Sequence, residues 1–407
     1  MRVFVTNQRC QALMPTTPRN AKLLLRSDKA KVIKRTPFTI QLVVATGETK
    51  QEIHLGVDAG SKTIGVSATT QTKVLFEAEV KLRTDIVNLL STRRQNRRTR
   101  RSHKTRYRQA RFLNRAKKKG LLAPSIINKI ETHLKVVKLM YELLPISKTI
   151  VEVASFDIQR IKNPTISGTE YQQGVQMAFW NVREYVFFRD GHRCHGKKSC
   201  KKKILNVHHI ESRKTGGNGP DNLITLCEEC HNNYHKGNLK LNLKRGQTFR
   251  DAAFMGIMRW SFYNKLKELY PNVGLTYGYI TKNTRITNSL SKEHSVDARC
   301  ISGHPLAAFS GQAYLFKQVR GQNRQLHKNT ILKGGIRKAN KSPRYVKGFQ
   351  LFDKVLYKDQ ECFIFGRRTT GSFDIRLLNG TKVSPGVSCK KLRLVETAKT
   401  LLIQMLR

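Results

Sequence analysis

Apolar residues along this chain occur in short blocks, some alternating with polar ones and some at helical spacing, which reads as a mixed α/β protein. Val3, Phe4 and Val5 form a β-branched run, and Thr17-Pro18 offers a helix start before Leu23, Leu24 and Leu25. From Ile53, IHLGVDAGSKTIGVSATT followed by KVLFEAEVKL reads as a three-stranded meander with Asp58 at the end of its first strand. Ile126, Ile127, Ile130, Leu134, Val137 and Met140 are spaced as on one helix face, and TIVEVASFDI follows as a buried strand with Glu152 inside it. Burying that carboxylate is costly unless it is paired or bound to metal. A helical stretch at about 171–188 leads into a cysteine and histidine cluster at 192–237. Further helices are predicted at about 249–269 and 292–302, with a strand at LTYGYIT between them. The last hundred residues alternate like short antiparallel strands with Gly and Asn-Gly turns, as in a small β-barrel.

Charge changes the picture most. The 407 residues contain 77 Lys plus Arg against 27 Asp plus Glu, a net charge of +50 and a pI near 10.5. A field of that size calls for a polyanionic partner. No apolar run approaches the ~18 residues of a membrane span, and MRVFVTNQRC has no signal-peptide core, so no membrane role and a bacterial cytoplasmic, nucleoid-associated location are expected. Residues 91–119 hold fourteen Lys or Arg, and no acidic residue occurs from Ile86 to Ile130. Like charges on nearly every face destabilise an isolated helix, so Arg93, Arg94, Arg97, Arg98, Arg100, Arg101, Lys104, Arg106, Arg108, Arg111 and Arg115 read as phosphate contacts that order it. The bland reading is a solvated basic linker; the interleaved Tyr107, Phe112 and Leu113 speak against it. KKSCKKK at 197–203 is either solvated or in contact with phosphates, and the Trp, Tyr and Phe residues are expected in the core rather than as base-stacking platforms.

Of eight cysteines, four fall between Cys194 and Cys230, a pattern of metal binding rather than disulfides. Cys227 and Cys230 form a CxxC knuckle that Cys194 and Cys200 close into a structural zinc site, with His195 as an alternative ligand because five residues separate the first pair. His208, His209, His231 and His235 remain, beside Asp221-Asn222. Cutting a phosphodiester with one metal needs ligands for the ion and a neutral imidazole to take a proton from water, and His231 and His235 at i,i+4 share a helix face. HHI, then DNLITLCEECH, then His235 resembles the HNH endonucleases with their ββα-metal finger. The resemblance implies His209 as general base, His208, His231 and His235 as metal ligands, and Asn222 as the brace of the loop. A zinc ribbon without catalysis is the alternative, but it needs only four ligands.

Asp58, Glu152, His294 and Asp297 lie far apart in sequence, each beside apolar residues, with His294 and Asp297 at i,i+3. Two-metal hydrolysis wants several carboxylates around its ions. In this order the four resemble the three RuvC motifs of the RNase H-like fold. The whole arrangement is similar to the IscB family, transposon-encoded RNA-guided nucleases, and Ala12-Leu13-Met14-Pro15 resembles that family's amino-terminal PLMP motif. The resemblance implies an α/β multidomain protein: an RNase H-like (RuvC) core split by an Arg-rich bridge helix and an inserted HNH module, with a small C-terminal β-rich domain. Its parts would be a PLMP-type domain at 1–52, RuvC-like parts at 53–90, 121–184 and 246–306, a bridge helix at 91–120, the HNH nuclease at 185–245, and a target-adjacent-motif-interacting domain at 307–407. It also implies magnesium or manganese at both sites, a long structured guide RNA of the omega type, and double-stranded DNA as target. The protein would be a monomer in a ribonucleoprotein, with HNH cutting the guide-paired strand and RuvC the displaced one. Two rivals stand beside this: a guide-independent DNA endonuclease, for which no base-reading motif is visible, and a non-catalytic RNA-binding regulator, which would have lost ligands.

Overall fold

The amino-terminal apolar runs pair with one another. In the computed structural model, which describes residues 2–102, 122–153, 179, 181–197, 199–246, 250–321 and 343–406, β1 (Val3–Thr6), β2 (Ala12–Thr16), β3 (Ala30–Lys34) and β4 (Thr39–Leu42) form a sheet of order β2-β1-β4-β3. The Ala12–Pro15 motif is part of β2. Thr17 caps the helix Pro18–Arg26 as the sequence predicts: its hydroxyl accepts from the Asn20 N–H, and Pro18 occupies the first turn.

The chain divides into two units, Met1–Ala154 with Ile257–Arg407, and Ser155–Gly256, so the second interrupts the first along the sequence. The first unit is organised on a seven-stranded sheet of order β11-β8-β5-β6-β7-β12-β18. Its meander is β5 (His54–Asp58), β6 (Thr63–Thr69) and β7 (Val74–Lys81). On one side, β8 (Lys148–Val153) runs parallel to β5 and β11 (Val273–Tyr277) parallel to β8; on the other, β12 (Ala313–Gln318) and β18 (Leu401–Leu406) extend the sheet from β7. Every residue of β6 is buried, which explains its run of small and β-branched side chains with little polar alternation.

The helix His294–Ile301 lies on β5 and β6 at two glycines. A Cβ on Gly56 would come 1.9 Å from the Ala298 carbonyl oxygen, and one on Gly65 1.7 Å from that of His294. Helix backbone therefore rests on sheet backbone. Arg299 of this helix donates to both carboxylate oxygens of Glu77 in β7, at 3.1 and 3.2 Å, which fixes the helix's rotation.

In the second unit, Asn181 caps the helix Val182–Arg189, the hairpin pair β9 (Leu205–His209) and β10 (Leu223–Cys227) is antiparallel with His208 opposite Ile224, and the helix Glu228–Lys236 follows directly. Within the first unit, β13 (Lys354–Tyr357), β14 (Gln360–Arg367), β15 (Ser372–Arg376), β16 (Lys382–Ser388) and β17 (Arg393–Glu396) form an antiparallel sheet over Val355, Ile364, Phe373 and Ile375. Its order is β16-β15-β14-β13-β17, so the small barrel expected there is an open sheet with β16 and β17 as its edges. Among the described residues no helix is long and apolar enough to cross a membrane.

Of the Arg-rich segment, residues 86–102 form one helix (Ile86–Ser102), on which Arg93, Arg94 and Arg97 are exposed and Arg98, Arg100 and Arg101 follow in the same backbone. Lys104, Arg106, Arg108, Arg111 and Arg115 lie outside the described residues, as does the 171–178 part of the helix expected before the cysteine cluster.

Candidate functional sites

Parallel β5 and β8 carry carboxylates at their carboxyl ends, Asp58 last in β5 and Glu152 last but one in β8: Val57 pairs with Val151, which brings the two side by side at the carboxyl edge of the sheet, where open α/β sheets bind ligands. The helix seated on Gly56 and Gly65 adds His294, whose Nδ1 lies 2.6 Å from Asp58 Oδ2, and Asp297 one turn on. Two arginines absent from the sequence reading complete the group. Arg259, buried, places Nη1 3.0 Å from Glu152 and Nη2 3.9 Å from Asp58 while its Nε donates to the Ala59 carbonyl at 2.8 Å. Arg285 Nε lies 2.9 Å from Asp297.

Electrostatics bind these residues into one group. Burial raises the Glu152 pKa above the ordinary carboxylate range, Arg259 opposes that, and Asp58 and Asp297 add to it. Burial, then Asp58, raises Asp297, and Arg285 opposes. The hydrogen bond to Asp58 raises His294. All four residues singled out from the sequence thus occupy one sheet edge. They are not drawn to ligand distance: among the described residues, the sets whose donor atoms lie within 4.8 Å of one another are a thiol group and an imidazole group elsewhere. The donors themselves, carboxylate oxygens and one imidazole, suit magnesium or manganese.

The thiol group is Cys194, Cys200, Cys227 and Cys230. Cys227 begins the helix Glu228–Lys236 and its sulfur accepts from the Cys230 N–H at 3.3 Å, while Cys194 Sγ accepts from the Gly196 N–H at 3.3 Å. Gly196 is needed for the approach, since a Cβ there would come 2.8 Å from Cys230 Sγ. The wide first spacing is thereby accommodated. His195 has its Nε2 3.3 Å from the Asp190 carbonyl oxygen, and the clustered donors are the four sulfurs. Burial and the neighbouring thiols push Cys230 up to about 12, as crowded sulfurs without a cation require; four thiolates around zinc remove that cost.

The imidazole group is His208, His231 and His235. His231 and His235 Nε2 atoms are 3.3 Å apart, and the His208 ring packs edge-on against both. Burial, then its histidine neighbours, lowers His208 to about 4, so it is neutral at physiological pH. Its Nε2 is buried without a hydrogen-bond partner, an orphaned lone pair that a divalent ion would satisfy. His209, next in β9, places Nε2 3.1 Å from Asn218 Oδ1. Asn222, fully buried, accepts from the Glu211 N–H at 2.8 Å and donates to the carbonyls of Glu211 and Gly217 at 3.0 and 2.9 Å. These bonds span the loop after His209. Arg245, unremarked in the sequence, ties the same loop to Asp221 at 2.7 Å and Glu211 at 2.9 Å.

Residues 3–174 match the model of the RRXRR protein family, and residues 192–237 match that of HNH endonucleases. The chain carries an RRXRR region and an HNH endonuclease module. Both matches accord with the IscB resemblance. The HNH match covers all four thiols and all three clustered imidazoles. Anaredoxin of Nostoc sp. is 44% identical over 41 residues, which span 10% of this chain and 54% of that protein. The chain thus spans about half the length of this curated relative. Among solved structures, Streptococcus thermophilus Cas9 in complex with the GGAA PAM is similar at 15% identity and a TM-score of 0.34, over 55% of this chain and 32% of that one.

Proposed function

We propose that this protein is an RNA-guided DNA endonuclease with two cutting sites. The observation that carries the reading is the HNH module's group of His208, His231 and His235 beside His209. Three imidazole nitrogens would hold one divalent ion, which would supply positive charge against the scissile phosphate. Asn218 accepts from Nε2–H of His209, leaving Nδ1 bare to take a proton from water. Asn222 and Arg245 keep the loop in place, and the four thiols hold zinc behind it.

The carboxylate edge supports a second cutter. A meander with parallel β8 and β11 added beside its first strand fits an RNase H-like core, these strands falling in the parts expected at 53–90, 121–184 and 246–306. Asp58, Glu152 and Asp297 would hold its ions, with His294 oriented through Asp58. Loading them requires Arg259 and Arg285 to yield part of their contacts.

The RRXRR match, the exposed Arg93, Arg94 and Arg97, and the net charge of +50 support a bound RNA whose base pairing reads sequence while the protein grips phosphates. By this reading the HNH site cuts the guide-paired strand and the carboxylate site the displaced one. The test is to purify the chain with its RNA, add magnesium, and follow each strand of a matched duplex. Asp58→Ala and His209→Ala should each nick, on opposite strands. If both variants still make double-strand breaks, the site assignments fail; if cutting ignores removal of the RNA, the guide does.

A further inference from the structure

We infer that Tyr277 and Tyr279 form a base-stacking platform that delivers single-stranded DNA to the carboxylate site. Most of the described aromatic residues are buried or half-buried, but these two, like Phe188, Phe309 and Tyr345, are exposed, Tyr277 at 38% and Tyr279 at 66%. Their rings lie nearly parallel, 11° between planes and 6.1 Å between centroids, so flat faces are offered to solvent in a common orientation.

Their position gives the exposure a purpose. In the pairing of β11 with β8, Thr276 is opposite Glu152 and Tyr277 opposite Val153, so the strand ends level with the carboxylate. Gly278, between the two tyrosines, sits against it: a Cβ there would lie 3.2 Å from Glu152 Oε1. The helix that starts here, Gly278–Thr287, is tied to the same site through Arg285 on Asp297, and its Thr281 hydroxyl donates back to the Tyr277 carbonyl at 3.5 Å. Lys282, three residues after Tyr279 and exposed, shares its face of the helix and adds a cation where a backbone phosphate would follow a stacked base.

A phosphodiester entering between Glu152 and Asp297 has bases on either side of it. In a duplex their faces are covered by their neighbours; in a single strand they are free, and aromatic side chains take them up without regard to sequence. Two tyrosines in water beside a cutting edge therefore fit an unpaired strand better than a duplex or a protein partner. The inference rests on the carboxylate edge being a nuclease site.

The experiment uses the full chain with its bound RNA, in an Asp58→Ala background that does not cut at this edge. The probe is a single-stranded oligodeoxynucleotide carrying 2-aminopurine, at salt high enough to suppress phosphate contacts. Stacking should quench its fluorescence. Tyr277→Ala/Tyr279→Ala should abolish the quench and weaken binding about ten-fold or more, while Tyr277→Phe/Tyr279→Phe should keep both, which guards against a folding defect. Equal quenching and affinity in the alanine pair overturn the platform, as does an equal loss of duplex binding. Tighter, tyrosine-dependent binding of the matching RNA oligonucleotide overturns the assignment to DNA. Failure of the nuclease reading shows separately, as a chain with intact Asp58 that cuts neither strand, and leaves the fluorescence result standing.

Discussion

Arg259 Nη1 stands 3.0 Å from Glu152 Oε1, and the same side chain donates through Nε to the Ala59 carbonyl, one residue beyond Asp58. A single buried guanidinium thus faces two carboxylates of the sheet edge and satisfies one carbonyl of its backbone. Removing one partner of a buried ion pair leaves the other unpaired, at a cost of about 3 kcal/mol. Arg259→Met is expected to destabilise the first unit by that order in the presence of a chelator, with magnesium recovering part of the loss. Thermal unfolding with and without the ion reads this, and an unchanged midpoint in the chelator would contradict it.

His133 is fully buried, donates Nδ1–H to the Lys129 carbonyl at 2.7 Å, and has no hydrogen-bond partner at Nε2. Burial pulls it down to about 4, with Asp58 opposing and Arg259 assisting. The folded value lies below the unfolded one, so protons favour the unfolded chain as pH falls from about 6.5 to about 4. About 3 kcal/mol of stability should disappear across that window. Denaturant melts at stepped pH are expected to show His133→Phe, facing Phe262, with a shallower acid slope than the parent. Identical slopes would mean that another group governs acid unfolding.

Under the proposed function, the four sulfurs within 4.8 Å of one another would hold one zinc per chain. Cys227→Ser, at a buried position that also starts a helix, is expected to release it and to make residues 192–237 sensitive to protease, while cutting at the carboxylate edge persists. Metal analysis and limited proteolysis check this. A zinc-free parent of unchanged protease resistance would rule out the metal as a structural element.

Asn218 Oδ1, an acceptor 3.1 Å from His209 Nε2, favours the tautomer with its proton on that nitrogen. Asn218→Leu should slow nicking of the guide-paired strand roughly ten-fold without changing DNA affinity. Asn218→Asp should stabilise the imidazolium and move the acid limb of the pH–rate profile upward. A profile that stays put in the aspartate variant would leave Asn218 as a surface residue.

The meander, the helix-borne His294 and Asp297, and the paired histidines were legible because each depends on local periodicity or i,i+3 and i,i+4 spacing. Arg259 was not, though a trace of it is visible: Met255, Met258, Phe262 and Leu266 form a buried stripe along Arg250–Leu269, and a cation falls on it. Such a charge announces a distant partner without saying which. Asn218 lies in an exposed loop and carries no periodic signal. The recruitment of β12 and β18 to the edge of β7 was equally hidden, since non-local pairing leaves no mark on the spacing of either strand. The exposure of Tyr277 and Tyr279 departs from the expected core placement: Tyr277 ends β11, which among the described residues has sheet on one side only, and Tyr279 lies in the first turn of the helix Gly278–Thr287.

Under the proposed function, Gly56 and Gly65 set a tolerance on catalysis at the carboxylate edge. Because no side chain intervenes between sheet and helix at these points, the height of His294 and Asp297 above Asp58 is fixed by main-chain thickness alone, a dimension that substitution elsewhere in the helix leaves untouched. A single added methyl at either glycine would act as a shim, lifting the helix away from Asp58 and detuning one cutter while every residue of its site stayed in place.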